Sequence, residues 1–439
     1  MLKTKEQLTD LAQKCISKAK SFGATDIEVS VSNSISDTIN YRNKQIEHSD
    51  RSEILSLGLT AYIGTKKSNV STSNFEERNL EILTQRCVEH AKVSPEDKNV
   101  SLPDNNDFEN NPIDLNLFDK TNLTAEYKKN FLKEMEEEVF SNPKIKNSNG
   151  SSFSENKSNF IFANSKGFCE GYYSSSFSVF CEALAEENGI MERDYEISVN
   201  RFANKLDSAK NIGKIASERA LKRLGAKKIN SGRMPIIFDR KIARSILSTL
   251  ASAISGSSFA RGTSFLKDAL NKKIFNENIN IIDDPLIPSA LGSQPFDGEG
   301  VKNKKINIIE NGILNELFLD TYNANILNTK TNGRCGGSTN FYLENGTYDL
   351  KKMISDQKKA FFVSELIGRA GDITNGNYSV GASGLLIEDG AITYPVNEIT
   401  IAGNLKDMFK NLIPANDLKF KSATNSPSLL IDGMTIAGK

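Results

Sequence analysis

Two dipeptides, Asn311-Gly312 and Asp389-Gly390, constrain the architecture of this chain more than any other feature. The first joins Ile308-Ile309-Glu310 to Ile313-Leu314, and the second joins Leu385-Leu386-Ile387-Glu388 to Ala391-Ile392-Thr393. Asn and Asp followed by Gly reach the positive φ of a type I′ turn at little steric cost, so each segment predicts a tight hairpin. Repeated hairpins imply a mainly antiparallel β architecture for the second half. It begins with a buried strand, Pro235-Ile236-Ile237-Phe238, and a helix capped by Asp239 and running to about Ser255.

The first half reads differently. Leu8, Leu11, Ala12, Cys15, Ile16 and Ala19 recur at helical spacing, whereas Ile27, Val29 and Val31 alternate with polar residues as in a half-buried strand. Extended segments follow at Thr38–Tyr41, Leu55–Ile63 and Asn69–Thr72. A helix is expected after a capping-box pattern, Ser73 with Glu76, carrying Leu80, Leu83, Cys87, Val88 and Ala91. Residues 93–116, rich in Asp, Asn and Pro, read as a surface loop. Another helix, about Thr124 to Phe140, carries Tyr127, Phe131, Met135 and Val139. Strands at Phe160–Ala163 and Tyr172–Glu182 and a helix from Ser208 to Leu224 complete this part. Helices on one face of an antiparallel sheet make an α+β fold. At 439 residues the chain exceeds one ordinary core, so two domains are expected, 1–225 and 226–439, the second mainly antiparallel β and opened by one helix.

Several function classes lose support on composition. Lys+Arg and Asp+Glu balance at 55 each, which offers no field for nucleic acid. No stretch approaches the roughly 18–20 apolar residues of a membrane span. The polar, helically patterned N-terminus is unlike a signal peptide, and a cytoplasmic protein is expected. The five cysteines form no C-x-x-C pair and read as free thiols.

The search for reactive groups mostly returns absences. The only histidines are His48 and His90, and neither belongs to a pair with metal-ligand spacing. Gly381-Ala382-Ser383-Gly384 misses the nucleophile-elbow spacing. Gly433-Met434-Thr435-Ile436-Ala437-Gly438-Lys439 has P-loop spacing but lacks the Ser/Thr and the following helix. Gly298-Glu299-Gly300 reads as a turn. There remain three glycine-rich polar segments, 295–300, 332–337 and 376–384, readable either as a groove or interface or as turn chemistry.

These segments carry a resemblance. Pro295-Phe296-Asp297-Gly298-Glu299-Gly300-Val301, Glu310-Asn311-Gly312-Ile313-Leu314, Asn375-Gly376-Asn377-Tyr378-Ser379 and Gly381-Ala382-Ser383-Gly384 resemble the TldD/PmbA family. Tyr394-Pro395-Val396-Asn397-Glu398-Ile399-Thr400-Ile401-Ala402-Gly403-Asn404-Leu405-Lys406-Asp407-Met408 is close to its PmbA (TldE) branch. The ending Met434-Thr435-Ile436-Ala437-Gly438 also fits. The likeness covers the chain from Gly232 on and is looser before it. In the TldD branch the helix opening the second domain carries His-Glu-x-x-x-His and binds a catalytic metal. Here that helix, Arg240 to Gly256, contains no His, Asp or Glu, and no catalytic or metal-binding residue carries over. Related proteins often place an acidic and a basic residue around the Tyr-Ser of the glycine loop, where this chain has Asn377 and Val380.

The resemblance implies a non-catalytic subunit of a TldD/TldE-type zinc metallopeptidase that degrades unfolded peptides or trims leader peptides. The partner would be a TldD-type subunit holding the zinc, with no cofactor on this chain. Older usage names the family modulators of DNA gyrase, but the neutral charge lends nothing to DNA contact. The alternative is a homodimeric peptide-binding or scaffold protein without protease activity. Asn377, Tyr378, Ser379, Gly381, Ser383, Glu398 and Asn404 are the candidates for a peptide groove or interface.

Overall fold

The computed structural model describes residues 2–439. Its N-terminal half runs α1 (Lys5–Ser21), β1 (Asp26–Arg42), β2 (Gln45–Ile63), β3 (Lys66–Thr72), α2 (Glu77–Val93), α3 (Ala125–Val139), β4 (Ile145–Asn147), β5 (Ser151–Asn164), β6 (Cys169–Glu187), β7 (Ile190–Asn200) and α4 (Ala209–Lys222). The strands form one antiparallel sheet ordered β3-β2-β1-β5-β6-β4, with β7 also paired to β6.

Alternation places one face of this sheet under the helices. Ile27, Val29 and Val31 pack beneath α1 and α2 against Leu8, Ile16 and Val88. Farther along the same face, Ile39 and Tyr41 join Phe153, Phe177 and Val179 beneath α3 and α4. A polar waist separates the two cores, where buried Lys128 Nζ lies 2.8 Å from Asp37 and 2.7 Å from Glu155. A buried ammonium is tolerable only when paired, and this pairing sets the rotation of α3. Lys128, Leu132, Met135, Glu136 and Val139 face inward, while Tyr127 of the expected stripe is exposed.

Two further expectations are corrected. The capping box of Ser73 and Glu76 does not form, because α2 begins one residue after Glu76, which caps it without a side-chain hydrogen bond. Residues 93–116 are more than a surface loop. Val100, Leu102, Phe108 and Leu115 are buried, and Phe108 joins Phe162, Phe168 and Phe296 in an aromatic cluster. This strap is pinned by Glu109 N–H donating to Gly300 O and Lys302 N–H donating to Asp107 O. It thereby ties the outer face of the first sheet to the C-terminal half.

The C-terminal half contains β8 (Gly232–Phe238), α5 (Arg240–Ala253), β9 (Ile281–Asp283), β10 (Ile306–Glu310), β11 (Ile313–Leu314), β12 (Phe341–Leu343), β13 (Lys359–Ile367), β14 (Asn377–Glu388), β15 (Ala391–Asn404), β16 (Leu412–Pro414), β17 (Thr424–Asn425) and β18 (Leu429–Ala437). Short helices lie at Gly256–Ala260, Thr321–Ile326, Leu350–Ser355 and Leu405–Lys410. Both expected hairpins form, with φ of 50° and 79° at Asn311-Gly312 and 48° and 76° at Asp389-Gly390.

One sheet is ordered β11-β10-β9-β12-β17. The other runs β15-β14-β13-β8-β18-β16, and an additional β15–β18 pairing closes five of its strands into a ring. Closure removes exposed edges. Pairing is antiparallel except between β13 and β8 and between β12 and β17. α5 lies against a core fed by both sheets, burying Ala243, Ile246, Leu247, Leu250 and Ala253. Its opposite face is left for a cleft. The P-loop-like ending lies in β18 from Gly433 to Ala437, where Met434 to Ala437 pair with β8 and β15.

Candidate functional site

The free face of α5 forms one wall of a cleft of about 580 Å³. Asp239 starts the helix by accepting from Lys241 N–H at 2.8 Å. From there Lys241, Arg244, Ser245, Ser248, Thr249 and Ser252 follow one another along the cleft, as helical periodicity dictates. The opposite wall is the end of β13 with the connection through Gly368, Arg369 and Gly371, and Asp194 and Tyr195 of β7 close one end. The cleft is therefore shared by both halves of the chain.

Charge within it is unevenly satisfied. Arg223, behind the wall, pairs with Asp194 at 3.4 Å, with Glu192 at 3.6 Å and, closer still, with Glu365. Lys241 sits 3.4 Å from the centroid of the Tyr195 ring, donates to Tyr195 O at 3.1 Å and lies 3.9 Å from Asp194. Burial and then the neighbouring Arg219 hold this ammonium below the usual lysine range. The cleft carboxylates are thus already engaged. The hydroxyls of Ser248, Thr249 and Ser252 donate back to carbonyls one turn earlier.

The glycine segment 376–384 is mostly strand. After a turn through Asp372–Gly376, Asn377 begins β14. Asn377 and Ser379 are exposed and line a second recess of about 560 Å³. It shares Arg369, Ala370, Gly371 and Ile373 with the first. Asn404 lies across from Asn377 in the β14–β15 register and caps the helix Leu405–Lys410 through Lys406 N–H at 3.0 Å. Alternation sends Tyr378 inward, where its ring packs edge-on against Phe238 and its hydroxyl finds no partner among the described residues. Ser383 is also buried, and Gly381 runs between Ile367 and Thr400. The structure therefore groups Asn377, Ser379 and Asn404 on one surface and puts Tyr378 and Ser383 in the interior.

Glu398 is exposed and pairs with Lys228 at 2.7 Å, with φ of 52°. Left-handed backbone costs a non-glycine residue about 1–2 kcal/mol. Glu398→Gly is expected to raise the urea midpoint slightly, since relief of this cost outweighs the loss of an exposed ion pair and the added freedom of glycine in the unfolded chain. A urea midpoint that falls instead would show that the ion pair outweighs the strain.

The other two glycine segments are anchors. Asp297 accepts backbone N–H groups from Glu299, Val301 and Cys335, each at 2.9 Å. Arg334 is buried against Asp283. Burial pushes the thiols of Cys15 and Cys181 up to about 11 and about 12, and that of Cys335 higher. None has the character of a nucleophilic thiolate. Among the described residues, no group of three or more His, Cys, Asp and Glu is placed to hold a metal. Sequence reasoning missed Arg244, Ser245, Arg369 and the Tyr195–Lys241 contact. The helical spacing of cations and hydroxyls on α5 was the available signal.

Comparison with known proteins gives this geometry a context. The profile of the PmbA/TldA metallopeptidase central domain matches residues 118–224, and that of the C-terminal domain matches 231–438. Metalloprotease PmbA of Escherichia coli O157:H7 is 32% identical over 426 residues, covering 97% of this chain and 94% of that protein. A Bacteroides thetaiotaomicron protein described as a modulator of DNA gyrase superposes with a TM-score of 0.92 at 27% identity, covering 98% of both chains. TldE from Thermococcus kodakarensis shares the fold, with a TM-score of 0.84 at 21% identity over 98% of this chain and all, 100%, of that one.

Proposed function

The chain belongs to the PmbA/TldD metallopeptidase family, in its PmbA (TldE) branch, and from that premise we propose that it is the non-catalytic subunit of a TldD/TldE-type zinc peptidase. The substrates in this reading are unfolded peptides or leader peptides of precursors, and a TldD-type partner supplies the metal site. The observation that carries it is the chemistry of the α5 face. Catalytic zinc takes about three ligands from His, Cys and carboxylates. The cleft offers an ammonium, guanidinium groups, hydroxyls and carboxylates tied up by Arg223. That donor set does not fit zinc, and cations already in place would repel a divalent ion.

What the chain contributes in this reading is a wall. A second subunit facing the cleft would enclose a chamber too narrow for folded proteins but open to extended peptides. The test is a peptidase assay on an unfolded peptide with zinc present. This chain alone, a TldD-type partner alone and the two mixed are compared. Cleavage confined to the mixture, or strongly enhanced there, is the expected result. Zinc-dependent cleavage by this chain alone would end the proposal, and a partner unaffected by mixing would favour a scaffold role.

A further inference from the structure

The α5 cleft is more than a site that fails to bind metal. Its lining carboxylates, Asp194 and Glu365, are paired at one end by Arg223, with Lys241 3.9 Å from Asp194. The guanidinium groups of Arg244 and Arg369, by contrast, make no ion pair or hydrogen bond among the described residues, although both line the cleft. Ser245 Oγ, beside Arg244 on the helix, is buried and also has no hydrogen-bond partner. An unsatisfied buried hydroxyl is a cost, which a rotation of this side chain toward an acceptor in the cleft would remove. The cleft thus holds unused donors, and the one further carboxylate near them, Asp372, which feels Arg369, lines the adjoining recess and already accepts from Thr374 and Asn375.

Its shape selects the ligand further. From Lys241 to Ser252 the helix advances about 16 Å at 1.5 Å per residue, the length of roughly five residues of extended chain at about 3.3 Å each. Arg369 also borders the second recess, where Asn377 and Ser379 are exposed, so the surface continues past the cleft mouth. A compact anion would use only one end of such a trough. Arg guanidinium groups match carboxylates in two-point geometry.

We propose that the α5 cleft binds an extended acidic peptide segment, its side-chain carboxylates paired by Arg244 and Arg369. This deepens the partner-subunit reading by naming the class of peptide the metal-free wall would hold. It also rests on that reading for the peptide's biological source, but not for the binding itself.

The experiment uses the full chain without any partner. Fluorescence anisotropy compares a labelled unstructured decapeptide containing Glu residues with its Gln isostere at low and moderate salt. The Glu peptide is expected to bind at least about tenfold more tightly, with the preference shrinking as salt screens it. Arg244→Gln and Arg369→Gln should each remove most of that preference, while Arg244→Lys restores part of it. Both side chains reach solvent, and unchanged thermal unfolding would confirm that the variants fold. Equal affinity for the two peptides, no binding of either, or unaltered binding by the double variant would overturn the proposal. So would displacement of the peptide by an equal concentration of inorganic phosphate, which would reassign the cleft to a lone anion. Because binding is read on this chain alone, its failure leaves the mixing assay standing, and a failed mixing assay leaves the binding result standing.

Discussion

Arg334→Ala is expected to destabilise the C-terminal half by about 3–5 kcal/mol, the usual cost of stripping one partner from a buried ion pair. Arg334 is among the largest fully buried side chains. Its Nε donates to Asp283 Oδ2 at 2.6 Å, and its two terminal nitrogens donate to the carbonyls of Gly333 at 2.9 Å and Lys304 at 2.6 Å. Asp283 in turn accepts from Thr339 N–H at 2.7 Å and from the Thr339 hydroxyl at 2.8 Å. One guanidinium therefore fastens the 332–337 loop, the end of β9 and the segment before β10. Alanine would leave a buried carboxylate without its counter-charge and strip the carbonyls of Gly333, Asp283 and Lys304 of this donor. Arg334→Lys keeps the charge but loses the fork, and should recover only part of the loss. Urea midpoints, with soluble yield as a second readout, check the order wild type, lysine, alanine. An alanine variant as stable as the wild type would mean that water or a shifted loop replaces the guanidinium.

That anchor shows where the sequence stops speaking. The 332–337 segment reads equally as a binding loop or as turns, because glycines and one arginine suit both. Only the fold reveals that Asp283, far away in sequence, is waiting for the arginine. Local signals fared better. Asn311-Gly312 and Asp389-Gly390 encode their own φ values, so the hairpins are legible from a few residues. The alternation of Ile27, Val29 and Val31 likewise fixes which face of β1 is buried.

The misreadings share a cause in long-range pairing. α3 is rotated because Lys128 answers Asp37 and Glu155 on strands remote in sequence. Residues 93–116 pack because Phe108 meets Phe168 and Phe296. The glycines of 376–384 suggest a loop, yet Gly384 is needed for close strand contact: a Cβ there would lie 1.9 Å from Phe362 O. In the candidate site, the absence of ligands on α5 was legible in the sequence. The cleft was not, since Asp194 and Tyr195 come from the other half of the chain.

The seam between the halves carries the second large expectation, a loss of stability as pH rises from 5 to 8. Glu299 is pushed from its ordinary 4.5 up to about 7, by burial first, opposed by Thr321, whose N–H and hydroxyl both donate to the same carboxylate oxygen. Asp297 is pushed from 3.8 up to about 6, again by burial, against its three backbone donors. Asp297 and Glu28 add repulsion to Glu299. Glu28 of β1, itself raised by burial, accepts the Tyr62 hydroxyl at 2.6 Å and feels Lys67 and Asp26. Asp320 and Cys335 face the same cluster, and Arg334 opposes it from the side of Asp297. A carboxyl raised in the folded state favours folding most below its unfolded value. That contribution disappears as pH rises through the folded value. The lowered carboxyls, Glu6, Asp97, Asp119, Asp207, Asp372 and Glu398, lose their contribution only as pH falls below their ordinary values of 3.8 or 4.5, outside this window. Glu299→Gln mimics the protonated acid, and its amide oxygen can keep both Thr321 donors. It should therefore gain about 2–3 kcal/mol over the wild type at pH 8, gain little at pH 5, and flatten the profile between. Urea midpoints at the two pH values check this, with protection of β1, β2 and residues 295–301 from hydrogen exchange localising the effect to the seam. Parallel profiles for variant and wild type would mean that Glu299 stays ionised throughout, with its charge stabilised by the Thr321 donors.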